Sequence, residues 1–286
     1  LILKNKNYLF VDGRYTLQAK IQSGKLFKVV TFPKLFPSDV LKNKKLKIGF
    51  DPKLFTRKTI GTFFSKTHCK LIPLKQNLVD IFWNNNYYDQ TKKFYILPKK
   101  AIGLSFKFKV KKLVDQLNKK KIDFQFISAS ENIAWLLNIR GKDSEFTPLP
   151  NAYLVVNADR KVNLFCDLRK VDISFKKKFK DINIVDIKYT DLFLSRINNK
   201  SISIDSLSCS IYFENILKKN NKIAEFLDPI YFLKSIKSKM EIKNTIKSHI
   251  YDGAALTKFL FWLKKNYRKQ NVSEISAQEK LLKFRK

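Results

Sequence analysis

The stretch FKFKVKKLVDQLNKKKIDFQFISASENIAWLLNIRGKD, residues 106–143, decides the fold. Phe106 to Lys119 carries its apolar residues at helical spacing. Phe124 to Ile127 is a short apolar run of the kind that forms a strand. Glu131 to Leu137 has the pattern of a second, shorter helix that runs into Arg140-Gly141. Helix, strand and helix in succession imply an α/β layer architecture.

The alternation continues downstream. Ala152 to Val156 and Val162 to Cys166 read as strands around the Asn157 to Lys161 turn. Ile182 to Ile187 and Ile202 to Asp205 are further strands, with helices expected over Asp191 to Ile197 and Ser208 to Leu217. After Asp228-Pro229, Glu241 to Lys265 carries Ile242, Ile246, Ile250, Ala254 and Leu260 near helical spacing. Ser276 and Glu279 then read as a capping box for a last helix.

A similar alternation lies upstream. Leu1 to Leu3 and Tyr8 to Val11 suggest a hairpin through Lys4 to Asn7. Tyr15 to Gln22 reads as a helix that Asp12 can cap. Leu26 to Val30, Leu46 to Phe50 and Cys69 to Ile72 read as strands. Ser38 to Leu41 forms a helical turn, and Lys58 to Ser65 a helix. The polar, Asn- and Tyr-rich Trp83 to Thr91 is the best domain boundary.

A length of 286 residues suits two domains better than one, and 44% hydrophobic residues exclude wholesale disorder. The seven glycines include no pair separated by one residue, so a G-x-G-x-x-G dinucleotide loop is impossible. No phosphate-binding G-x-x-x-x-G-K-[ST] loop exists either.

The 58 Lys and Arg against 24 Asp and Glu give a net charge of +34. Cationic surface of this size can bind nucleic acid by releasing counterions. However, the excess is mostly Lys, spread over the whole length, whereas bidentate recognition favours Arg. Abundant Lys, Asn, Ile and Phe together fit an AT-rich coding bias. No specific nucleic acid is therefore expected as a partner. Lacking an apolar run of eighteen residues, the chain is expected to have no membrane partner either. Cys69, Cys166 and Cys209 form no C-x-x-C pair and read as small buried residues in a reducing compartment. The chain opens at Leu1 inside a strand pattern and ends at Lys286 inside a helical one, as if both ends were cut.

Chemistry-bearing clusters are sparse. His68 and His249 share no ligand spacing with other metal-binding residues. Gly103-Leu104-Ser105-Phe106-Lys107 lacks the second glycine of a nucleophile elbow. Two segments stand out instead. In Asp12-Gly13-Arg14-Tyr15, Gly13 would permit a sharp bend and Arg14 would project from a helix start, where its planar fork could clamp a carboxylate or carbonyl. An exposed turn arginine is the plainer local reading. In Trp135 to Asp143, Arg140 and Asp143 could hold each other across a loop fixed by Pro148 and Pro150.

These segments resemble the Xaa-Pro aminopeptidases, that is aminopeptidase P of the creatinase and prolidase-type family. V-D-G-R-Y-T-L-Q-A at Val11 to Ala19 resembles the family's D-G-R-Y-x-x-Q-A stretch. I-G-F-D-P at Ile48 to Pro52 and N-L-V-D-I-F-W at Asn77 to Trp83 follow in family order. E-N-I-A-W-L-L-N-I-R-G-K-D at Glu131 to Asp143 resembles I-A-W-x-x-N-x-R-G-x-D. Glu241 to Leu263 resembles the helix that opens the catalytic domain, and Val272 to Ala277 the start of the next. Thr147-Pro148 stands where many members have Asn-Pro.

The resemblance implies an α/β fold class. Residues 1–92 and 93–236 would be two creatinase N-terminal-type, ribonuclease-H-like α/β domains. Residues 237–286 would be the first helices of a truncated pita-bread metallopeptidase domain. It implies a parent that removes the N-terminal residue from peptides with proline second, using two divalent ions, manganese by preference. Those ions are held in the family by two Asp, one His and two Glu, with the aspartates at i, i+11. No Asp pair here has that spacing, so this portion is expected to hold no metal, no catalytic residue and no peptidase activity by itself. Arg14 carries over as the substrate-binding residue, with Arg140 a second candidate for the same neighbourhood. Proline-containing peptides, a homodimer and a cytoplasmic location are further implications. A competing reading is a catalytically inactive, peptide- or histone-binding module on the same fold.

Overall fold

The structure is a computed structural model of the chain and describes residues 1–83, 92–144, 146–269 and 271–286. Residues 84–91, most of the expected domain boundary, lie outside the described residues.

The first strand, β1 (Tyr8–Val11), leads through a one-turn 3-10 helix at Gly13–Tyr15 into α1 (Thr16–Ser23) and then β2 (Lys28–Thr31). β1 and β2 pair in parallel, with Tyr8 opposite Lys28. The expected N-terminal hairpin shrinks to a single bridge between Ile2 and Asn7. The segment before the turn is too short to form a ladder, and β1 finds β2 instead. α2 (Pro37–Leu41), β3 (Lys47–Phe50), α3 (Arg57–Phe64) and β4 (Lys70–Pro73) follow. β3 and β4 make a second parallel pair, separate from the first. Edge-on contacts among Phe32, Phe36, Phe55 and Phe63 tie these pieces together.

Next come β5 (Tyr95–Ile96), α4 (Phe106–Lys119), β6 (Phe124–Ile127), α5 (Ser130–Leu137), β7 (Ile139–Arg140), β8 (Ala152–Asn157) and β9 (Val162–Cys166). α6 (Ile173–Lys178), β10 (Asn183–Asp186), α7 (Thr190–Ser195), β11 (Ser201–Ile204), α8 (Ile211–Lys218) and β12 (Lys222–Glu225) complete the alternation. The sheet order is β10-β9-β8-β6-β11-β12, and β8 alone runs against its neighbours.

Both faces of this sheet are buried. Along β8, Ala152, Leu154 and Val156 join a cluster with α4 and α5 through Leu113, Leu136 and Leu137. Val155, pointing the other way, joins Phe165, Phe213 and Leu217 under α8. The period of two along the strand sends alternate residues to the two helical layers. Cys166 and Cys209 are buried as expected, whereas Cys69 is only half-buried, its thiol donating to the Lys44 carbonyl at 3.3 Å.

α9 (Pro229–Ser235) starts at Asp228, whose carboxylate accepts from the Ile230 amide. α10 (Lys239–Asn266) begins at Ser238 with Glu241 completing a capping box. α11 (Glu274–Arg285) folds back along it, and Arg285 pairs with Asp252 at 2.6 Å. The cap of α11 is Ser273 with Ser276, not Ser276 with Glu279. The Ser273 hydroxyl takes the Ser276 amide, so the helix nucleates a turn earlier. No helix among the described residues is long and apolar enough to cross a membrane.

Candidate functional site

The Asp12 to Tyr15 turn is built by side chains, not by glycine freedom. Asp12 accepts from the Arg14 amide at 2.9 Å and caps the 3-10 turn. A Cβ on Gly13 would meet nothing within 4 Å. The Arg14 guanidinium returns to the same carboxylate, with Nη2 to Oδ2 at 2.7 Å and Nε to Oδ1 at 3.2 Å, and lies over the Tyr15 ring. These hydrogen bonds hold Asp12 below the usual carboxylate range. Arg14 is 80% exposed, so the fork stands at the surface, preoriented by its neighbour.

The second and third motifs meet in space. Asn77 Nδ2 donates to Asp51 Oδ2 at 3.0 Å, and Asn77 Oδ1 accepts from the Val79 amide. Asp51 therefore anchors the segment after β4 to the end of β3. The residues after Asp51 dock onto the six-stranded sheet. The Pro52 and Phe55 carbonyls accept from the Tyr212 and Ile211 amides at 3.0 and 2.9 Å, so they satisfy the free N-terminal donors of α8. Thr56 and Ser210 form an antiparallel bridge. Arg57 closes the contact with a fork on buried Glu214, its Nε at 2.8 and 3.0 Å from the two oxygens. Glu214 holds Arg57 protonated, its own value raised by that hydrogen bond.

The Glu131 to Asp143 segment is a structural hub. Asn138 ends α5 in the left-handed region at φ 58°, a conformation in which Asn is tolerated. Its amide nitrogen donates to the Leu104 carbonyl at 2.9 Å and its oxygen accepts from Lys109 at 2.6 Å. Lys109 is buried, also donates to the Trp135 carbonyl at 2.8 Å, and lies 4.1 Å from that indole's centre. Burial lowers it to about 8, although the nearby Glu241 carboxylate opposes the shift.

Arg140 does not reach Asp143. Its Nη1 donates to the Ala134 and Ile139 carbonyls, and burial lowers its pKa. Asp143 instead pairs with Lys170 and accepts from the Asn151 amide. The half-buried guanidinium finds backbone acceptors within its own hub, while Lys170, itself mostly buried, needs the carboxylate. Gly141 is required by space: an added Cβ would collide with the Leu149 carbonyl and Pro150.

Two carboxylates with structural roles escaped the sequence reading. Glu214 lies in Ser208 to Leu217, a segment that reads only as a helix. Asp228 was visible only as a helix-starting Asp-Pro. In the structure Gln125 and Asn132 each donate to Asp228 at 2.7 Å, and burial raises it. Lys109 did leave a signal, a lone charge beside Val110 and Leu113 on the apolar face of its helix. His68 and His249 are exposed and apart, and His249 Nδ1 lies 2.8 Å from the Thr245 carbonyl one turn back. Among the described residues no group of three or more His, Cys, Asp or Glu could hold a metal ion. The described residues do not fit a two-metal centre.

Layered α/β units around a mostly parallel six-stranded sheet define the class of the fold. The family described as Creatinase/Prolidase N-terminal domain matches residues 88–241, more than half of the chain, and the chain belongs to that family. The Xaa-Pro aminopeptidase ApepP of Drosophila melanogaster is 32% identical over 297 residues, covering 97% of this chain and 48% of the fly protein. A probable Xaa-Pro aminopeptidase P of Laccaria bicolor is 31% identical over 306 residues, covering 100% and 47%. The crystal structure of X-prolyl aminopeptidase from Caenorhabditis elegans, described as a cytosolic enzyme with a di-nuclear active site, matches with a TM-score of 0.86. That match is 25% identical and covers 99% of this chain and 49% of the worm protein. The chain spans about half the length of the curated relatives it matches.

Proposed function

We propose that this chain is the N-terminal part of a metal-dependent Xaa-Pro aminopeptidase, which removes the residue before a penultimate proline. The observation that carries the reading is the structural match over 99% of this chain to a solved X-prolyl aminopeptidase, of which it covers 49%. In this reading residues 1–92 and 93–236 are the two creatinase N-terminal-type domains, and residues 237–286 open the pita-bread domain. One strand opposed to five in the larger sheet supports a ribonuclease-H-like layout for the second domain. Two divalent ions, manganese by preference, supply Lewis acidity in the remaining part of the protein. A cytosolic relative supports a cytoplasmic location.

Within this chain the work is access and orientation. Arg14 is the substrate-binding residue, its fork presented by Asp12 to a peptide carbonyl or carboxylate. The two α/β units cover the substrate entrance and provide a homodimer surface. Arg140, spent on backbone carbonyls, holds the hub in shape.

The test uses the full reading frame with manganese and an Arg-Pro-Pro peptide. Release of arginine that a chelator abolishes is the expected result. Arg14→Ala is expected to lower kcat/KM about tenfold or more, while the thermal midpoint stays put because the residue is exposed. A metal-loaded, folded protein that cleaves no Xaa-Pro peptide overturns the enzyme reading in favour of an inactive peptide- or histone-binding module.

A further inference from the structure

The C-terminal edge of the six-stranded sheet holds a cleft that Arg14 does not line. β6 and β11 are parallel neighbours, yet the helices after them lie on opposite faces of the sheet. α5 packs into one cluster through Ile133 and Leu136, and α8 into the other through Phe213 and Leu217. In open α/β sheets the two connections part at such a point and leave a crevice beyond the strand ends. A cavity of about 450 Å³ lies there, within the size range of small-molecule sites.

Its lining is chemically divided. Ser128, Ser208 and Ser210 offer hydroxyls, with Ser128 donating to Ser208 at 3.0 Å. Tyr153 and Phe213, stacked edge to face at 4.8 Å, give an aromatic wall. The Asp191 carboxylate takes the Tyr212 hydroxyl and forms no ion pair among the described residues. Lys53 arrives from the N-terminal unit, its ammonium 4.7 Å from the centre of the Tyr212 ring, likewise with no ion pair among the described residues. The amides at the start of α8 are already taken by Pro52, Phe55 and Ser210, so the cleft recognises through side chains.

We propose that this cleft binds a free α-amino acid with an apolar or aromatic side chain. Asp191 takes the α-ammonium, Lys53 and the serine hydroxyls take the α-carboxylate, and the wall formed by Tyr153 and Phe213 receives the side chain on one side. Lys188 also lines the cleft, but its ammonium pairs with Asp186 at 3.9 Å. That leaves one unpaired charge of each sign, Lys53 and Asp191, a set that suits a zwitterion better than a simple anion or cation. Arg14 does not line the cleft, and the proposal does not depend on the peptidase reading.

The experiment is calorimetric titration of the 286-residue chain with L-phenylalanine, N-acetyl-L-phenylalanine and L-phenylalaninamide. The unmodified amino acid is expected to bind, and each blocked form to bind about tenfold more weakly, the size of one lost charge-assisted hydrogen bond. Asp191→Asn should weaken L-phenylalanine about tenfold and erase the penalty for N-acetylation. Lys53→Gln, an exposed position that leaves the core alone, should do the same for the amide. Absence of binding by L-phenylalanine, equal binding of the three compounds, or variants that keep the full discrimination would each overturn the assignment.

Discussion

At the residue scale, the Trp135 to Asp143 motif is a joint. Asn138, Lys109 and Trp135 lock the end of α5 to α4, and this sets a pH signature. Folded Lys109 titrates at about 8 against 10.5 for an ordinary lysine. Between those values the unfolded chain holds more protons, so stability should rise with pH across that window. Below about 8 both states are charged and burial of the ammonium works against the fold throughout. Urea melts from pH 8 to 10.5 should show a gain on the order of 2 kcal/mol relative to Lys109→Met, which should lack it. Gly141→Ala forces a Cβ into the Leu149 carbonyl and is expected to cost on the order of 3 kcal/mol, read by the same melts. The need for glycine was legible in Arg140-Gly141 only as a loop signal. The true partner of Asp143, Lys170, lies 27 residues away, and local spacing carries no information about it.

At the scale of elements, apolar period told most of the story. α4 runs from Phe106 to Lys119 and β6 from Phe124 to Ile127, the bounds that the opening stretch implies. β12, Lys-Ile-Ala-Glu, was not legible, because an edge strand with charged ends has too little alternation to declare itself. α6 was hidden for a related reason: half of Ile-Ser-Phe-Lys-Lys-Lys is lysine, and Phe175 alone of it is buried. Capping failed by one turn at α11, since two serine-led patterns overlap there and sequence cannot rank them. Ser273→Ala should destabilise that helix by about 1 kcal/mol, whereas Glu279→Ala should leave its start unchanged. Amide exchange over residues 274–278 reads the difference.

For the whole molecule, the decisive contact is the fork of Arg57 on Glu214, with Pro52 and Phe55 capping α8 beside it. Glu214 is only 3% exposed, so removing its partner strands a buried charge. Arg57→Ala should cost about 3 kcal/mol, and Arg57→Leu with Glu214→Met should recover part of that, both measured by denaturant melts. Neither large hydrophobic cluster includes a residue before Phe94, so the N-terminal units lie outside the main core and join it at this seam. Nothing in the sequence announced the seam, because its two sides lie 157 residues apart. That distance has a meaning in time. A ribosome adding roughly 5–20 residues per second delivers Glu214 about 8 to 30 seconds after Arg57. During that interval the first units stand outside the exit tunnel with their docking edge bare. The nascent chain is therefore most open to chaperones and proteases early, and its N-terminal third is sealed only when α8 emerges.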